Sequence, residues 1–115
     1  MKTFVYVTDR FEGFHYWPAA PESVSFLRQI HRHMFGVKLT VGVSHSDRDV
    51  EFFLLKKDLA AGIVSLQRQL SAQPSMSCEM MAQFIYEYIQ RLGYKVSEVE
   101  VNEDGENGSI LKIKQ

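Results

Sequence analysis

Three histidines and a late glutamate carry the chemistry this sequence offers. His31 and His33 stand two residues apart, His15 lies upstream of them, and Glu103 closes an alternating stretch near the end. Residues two apart on a β-strand project to the same side, which sets the two imidazoles roughly 6–7 Å apart along the chain. Their side is the apolar one: His31, His33, Phe35, Val37, Leu39, Val41 and Val43 share one parity. Arg32, Met34, Gly36, Lys38, Thr40, Gly42 and Ser44 fall on the other. A buried imidazole without hydrogen bonds is costly, and a metal ion meets that need. His15, at the end of Phe11-Glu-Gly-Phe-His15, supplies a third nitrogen from a neighbouring strand. Three imidazoles and an open fourth position describe a catalytic rather than a structural zinc site. The plainer alternative is a set of rim histidines satisfied by backbone carbonyls and water.

Glu103 shares parity with Val99 and Val101, so it ends the buried face of its strand. A carboxylate there can accept two parallel hydrogen bonds from an amidine-like ligand edge. The alternative is a solvated turn acid, the reading given to Glu98, Glu100, Asp104 and Glu106. Cys78 sits where a helix begins, a place that lowers a thiol pKa and suits a nucleophile; it is equally a common small buried residue. His45, in Ser-His-Ser-Asp-Arg, reads as a solvated turn residue, and Met80 and Met81 read as core. No phosphate loop, nucleophile elbow or multi-cysteine zinc knuckle is present in the sequence.

The elements that must position these groups follow from periodicity. Residues 2–8 are β-branched and aromatic and predict a strand, followed by a loop punctuated by Pro18 and Pro21. His31 to Val43 alternates throughout and predicts a strand with one buried face. Ser44 to Asp49 is a polar turn. The apolar run Val50 to Leu55 leads into a helix with Leu55, Leu59, Ile63, Leu66 and Leu70 on one stripe. After a loop at Pro74, Ser77 is an N-cap with Glu79 in the first turn of a second helix. Met81, Phe84, Ile85, Tyr88, Ile89 and Leu92 form its apolar face, and Gly93 fits its C-terminal cap. Val96 to Glu103 and Ser109 to Lys114 flank Asp-Gly-Glu-Asn-Gly and predict a closing hairpin. Strands, two helices and strands again predict an α+β domain with the helices on one face of an antiparallel sheet.

Length and composition bound the function. The 115 residues make one domain, 1–115, and 45% hydrophobic with 23% charged residues is the balance of a soluble globule. Thirteen Lys and Arg against 14 Asp and Glu give a net charge of -1, which argues against a nucleic-acid field. A single cysteine excludes an internal disulfide framework and agrees with a reducing compartment. No apolar run approaches the ~20 residues of a membrane span, so no membrane partner is expected. Met1 to Asp9 alternates and carries an early acid, unlike a signal peptide, so the expected location is the cytoplasm.

Taken together, these segments resemble the 6-pyruvoyltetrahydropterin synthase and 6-carboxytetrahydropterin synthase family over nearly the whole chain. Phe11 to His15 is similar to the family's Phe-x-x-x-His strand, and His31-Arg-His33 with Phe35 to its His-Gly-His-x-Tyr. Val50-Glu-Phe-Phe-Leu-Leu-Lys56 resembles the Val-Asp-Phe-x-x-Leu-Lys that opens the first helix, and Ser77-Cys-Glu-Met-Met-Ala82 the Thr-x-Glu-Asn-x-Ala that opens the second. Val99-Glu-Val-Asn-Glu103 looks like the late strand whose glutamate anchors the pterin. The resemblance implies a tunnelling fold: a four-stranded antiparallel sheet with two antiparallel helices on one side. It implies homo-trimers or homo-hexamers with sites between subunits, Zn2+ on His15, His31 and His33, and a pterin-like ligand held by Glu103 with Ser77 and Glu79. The pathways it implies are tetrahydrobiopterin and queuosine or other deazaguanine synthesis.

The chain departs from the family at the reacting groups. The family's cysteine lies four residues before the first histidine of the pair, where this chain has Leu27. The family's Leu-Asp-His-x-x-Leu-Asn is matched by Ser65-Leu-Gln-Arg-Gln-Leu70-Ser, which puts Leu66 and Gln67 at the Asp-His pair. Leucine moves no proton and glutamine has no useful pKa. Three functions therefore compete: a divergent zinc lyase whose proton transfer comes from Glu51, Cys78, His45 or Asp47, a zinc oligomer that binds a pterin- or purine-like ligand without turnover, and a structural oligomer.

Overall fold

The computed structural model describes residues 1–114; Gln115, the last residue of the expected domain, lies outside the described residues. Four strands and two helices follow in the order β1 (Phe4–His15), β2 (His31–Gly42), α1 (Phe52–Ala72), α2 (Cys78–Gln90), β3 (Lys95–Glu103) and β4 (Asn107–Lys112). The strands form one antiparallel sheet in sequence order. Both helices pack against it, giving the expected α+β architecture. No helix among the described residues is long and apolar enough to cross a membrane.

Strand β1 begins later than expected and continues well past Thr8. Beyond that point Arg10, Glu12 and Phe14 stay exposed while Phe11, Gly13 and His15 are buried. Alternation persists through Arg10 and Glu12 because they occupy the outer face, while Asp9, on the inner parity, is half-buried. The result is an unbroken ladder of twelve residue pairs with β2, from Phe4↔Gly42 to His15↔His31. The Pro-rich loop also holds a 3-10 segment, Glu22–Arg28, not foreseen from the sequence. Bonds from Trp17 N to Leu27 O (2.7 Å) and from Arg28 Nε to Ala20 O (2.8 Å) fold it back on the end of β1.

The core is one layer between sheet and helices. Phe35, Val37, Leu39 and Val41 of β2 face Leu55, Leu59, Leu66 and Leu70 of α1 and Met81, Ile85 and Ile89 of α2. Glu51 caps α1, its carboxylate accepting from the Phe53 and Leu54 amides. Ser77 caps α2, its hydroxyl accepting from the Met80 amide. A bulge opposite Thr40 and Val41 takes up one extra residue of β3, Ser97. Val96, Val99 and Val101 are consequently all buried. The β3–β4 turn has two consecutive left-handed residues, Asp104 (φ 58°) and Gly105 (φ 72°), the backbone that tight hairpins demand.

Candidate metal centre

Register brings the three histidines together. His15 pairs across the ladder with His31, Gly13 with His33 and Phe11 with Phe35, so all three imidazoles share the buried parity. They end the apolar layer at one end of the sheet. The ring of Phe35 supports them edge-on, 5.1 Å from His15 and 5.5 Å from His33 between centroids. Phe35 has that place because Gly13 has no side chain: a Cβ there would lie 2.9 Å from the Phe35 ring and 3.0 Å from Leu70.

One nitrogen from each of His15, His31 and His33 lies within 4.8 Å of the others. The remaining ring nitrogens are engaged from outside. His15 Nδ1 donates to Met76 O (2.9 Å), His31 Nδ1 to Gln29 O (2.8 Å) and His33 Nδ1 to Asp104 Oδ2 (2.7 Å). A carbonyl oxygen can only accept, so the proton is on Nδ1 of His15 and His31. The Asp104 carboxylate imposes the same tautomer on His33. Each Nε2 is thus the nitrogen available to a ligand, and this outer set of acceptors is what metal-binding histidines require. The plainer reading, histidines satisfied by backbone carbonyls and water, is met by a carbonyl at Nδ1 of His15 and His31 and by a carboxylate at His33, and it gives no reason for the convergence of one nitrogen from each ring.

Glu103 ends the buried parity of β3, as its spacing predicts, and its carboxylate reaches the same point. Its Oε2 is 3.0 Å from His15 Nε2 and 3.6 Å from His33 Nε2, while Oε1 accepts from Asn107 Nδ2 at 3.0 Å. Lone pairs of oxygen and nitrogen at 3.0 Å face one another only with a proton or a cation between them. Three convergent imidazole nitrogens with a carboxylate alongside are a donor set that could hold a metal ion.

Beside the cluster opens a cavity of about 600 Å³. His15, His31 and Glu103 form its inner wall, and Ser77, Cys78 and Glu79 bring the start of α2 to its edge. Trp17 and Leu27, set side by side by the 3-10 segment, supply an apolar wall. Five of the six residues expected as ligand- or metal-binding, His15, His31, Glu103, Ser77 and Glu79, line this cavity, and the sixth, His33, sits against His15 and His31 in the cluster. The Cys78 thiol is not activated by its helix. Burial pushes it up to about 12, and the carboxylates of Glu103 and Glu79 act in the same direction. Glu51, His45 and Asp47 are not brought to the cluster. His45 and Glu51 line a cleft with Thr3 and Val43, and Asp47 N donates to His45. That is the opposite end of the β1–β2 ladder, roughly 35 Å away by strand rise.

Asp104, read from the sequence as a solvated turn acid, is instead bound to a histidine. Its Oδ1 accepts from Met34 N (2.8 Å) and its own amide donates to Met34 O (2.8 Å). The His33 bond, and after it the Met34 amide, hold its carboxyl below the usual range. The signal was in the register: with Phe35 opposite Glu103, the next pair outward is Met34 and Asp104. Asn107, bonded to Glu103, and Trp17, lining the cavity, likewise carry no mark in the sequence.

No protein-family model matches the chain, and no curated protein matches it.

Proposed function

We propose that this chain is a zinc protein of the 6-pyruvoyltetrahydropterin and 6-carboxytetrahydropterin synthase type, binding a pterin or a related purine-derived ligand beside the metal. The observation that carries the reading is the convergence of His15, His31 and His33 with every Nδ1 held from outside. Zinc held by these residues would supply a Lewis acid to an oxygen of the ligand. The remaining work falls to the chain itself. Glu103, at the inner end of the cavity, offers carboxylate oxygens to the N–H pair of an amidine-like edge. Ser77 and Glu79 present a hydroxyl and a second carboxylate at the rim, and Trp17 and Leu27 give a flat ring an apolar face and exclude water.

Binding without turnover is favoured over a lyase by where the missing groups would be. Leu27 lines the cavity where the resemblance calls for a cysteine. Leu66 is fully buried in the core, and Gln67 lines a separate cleft with Phe14 and Ile30. A lyase would have to take its proton donor from the Glu51 and His45 end of another copy, in the trimer or hexamer that the resemblance implies. β1 and β4, the edge strands of the sheet, are the strands along which copies would join.

The test is metal content by plasma mass spectrometry on protein purified without chelator or histidine tag, followed by calorimetry with pterins. About one zinc per chain and pterin binding that needs the zinc are the expected results. Failure to retain or take up zinc overturns the reading. Turnover of dihydroneopterin triphosphate would replace the binding reading by the lyase.

A further inference from the structure

We propose that Asp104 is a positioning residue for the metal, orienting His33 and making it the strongest donor of the three; the inference rests on the zinc reading above. The three imidazoles are not held alike. His15 and His31 lean on neutral carbonyls, whereas His33 Nδ1 is bound to a carboxylate at 2.7 Å, the shortest of the three outer bonds. An anionic acceptor fixes the ring and raises the basicity of the opposite nitrogen, which a carbonyl does to a lesser degree.

The carboxylate is itself firmly placed. Asp104 is bound to β2 through Met34 N and Met34 O as well as His33. It takes a left-handed backbone (φ 58°) that glycine adopts without strain and aspartate at a cost. Those three bonds offset that cost and fix the carboxylate against the imidazole. The preceding residue of the same turn, Glu103, approaches the other nitrogen of that ring at 3.6 Å. His33 is thus set between two consecutive carboxylates, one outside the cluster and one within it.

Two substitutions separate the carboxylate from the turn. Asp104→Gly keeps the left-handed backbone and removes the carboxylate; Asp104→Asn keeps an acceptor and removes the charge. The experiment measures zinc affinity of the full chain by chelator competition, and the visible absorption bands of the cobalt-substituted protein. Asp104→Gly is expected to weaken zinc binding about 10–100-fold and to shift the cobalt bands. Asp104→Asn is expected to fall between it and the wild type, about three- to tenfold weaker. Thermal unfolding of the metal-free proteins checks that the variants fold. Wild-type affinity and an unchanged cobalt spectrum in Asp104→Gly overturn the inference while leaving the zinc reading intact. If Asp104→Gly does not fold, unchanged affinity in Asp104→Asn overturns it. A wild-type chain that binds neither zinc nor cobalt overturns the zinc reading itself, and this inference with it.

Discussion

The Oε2 atom of Glu103 lies 3.0 Å from Nε2 of His15, a contact that joins the end of β3 to the end of β1 across the intervening β2. The two groups come from distant parts of the chain and are both on the buried parity of their strands. From that one position Glu103 touches the histidine cluster and also lines the cavity, so it is placed for the two roles proposed above. Both roles depend on its charge. Glu103→Gln keeps the size and an acceptor for Asn107 but removes the anion. Pterin affinity is expected to fall by about 1–3 kcal/mol, the range for a hydrogen bond to a charged group. Isothermal calorimetry on the zinc-loaded protein reads this directly, and unchanged affinity rejects Glu103 as the anchor.

Removing a histidine removes a third of the nitrogen donors. His31→Ala and His33→Ala are each expected to abolish stoichiometric zinc, measured by mass spectrometry after gel filtration. Neither ring is fully buried, so both variants should stay folded. His15→Ala differs, because His15 is 8% exposed and donates to the carbonyl of Met76. It should lose zinc and also about 1–3 kcal/mol of stability, since that carbonyl loses its partner. A His31→Ala or His33→Ala protein with full zinc would remove the site.

Much of this site was legible because strands impose a strict parity. Once His31 to Val43 alternates, the side on which His31 and His33 project is decided, and the same count places Glu103 with Val99 and Val101. The end of β1 was less legible, because Asp9 puts a charge on the inner parity and Arg10 and Glu12 interrupt the β-branched run on the outer one. The 3-10 segment has no periodicity of its own and is held by tertiary bonds through Leu27 O and Ala20 O. The role of Asp104 is illegible in the sequence for a related reason. An Asp-Gly pair marks a turn, but the partner of its carboxylate lies on β2, and only the β2–β3 register reveals it. The Cys78 thiol shows competition between two effects of opposite sign. The helix start favours the thiolate, burial opposes it, and burial prevails.

Packing beneath the cluster gives a prediction about geometry rather than ligands. Gly13→Ala would put a methyl group 2.9 Å from the ring of Phe35 and 3.0 Å from Leu70, closer than side chains tolerate. Phe35 is fully buried and also stacks on Phe11 at 5.3 Å, so it has little room to yield. A destabilisation of about 1–3 kcal/mol is expected in denaturant titrations. Since the same ring supports His15 and His33, zinc affinity should fall as well, although residue 13 touches no metal. Wild-type stability and zinc affinity together would show that Phe35 does not hold the cluster in place.

Alkaline pH tests the burial of Cys78. Its thiol is pushed from the usual 9.0 up to about 12, and burial with the Asp58 bond pushes the Tyr94 hydroxyl from 10.0 to about 12. At neutral pH the thiol is protonated and enclosed, so iodoacetamide should modify native protein far more slowly than urea-unfolded protein. The linkage has a definite sign. Above pH 9 the unfolded chain releases the thiol proton while the folded chain retains it, so the folded state binds more protons and stability falls as pH rises towards 12. Tyr94 adds a loss of the same sign from about pH 10. Cys78→Ala should flatten the part of the decline that begins near pH 9 and leave the Tyr94 part in place. Urea midpoints at pH 7, 9.5 and 10.5, taken with and without chelator, separate this effect from zinc loss. A Cys78→Ala protein with an unaltered alkaline profile would show that the thiol is solvated and available at the cavity edge.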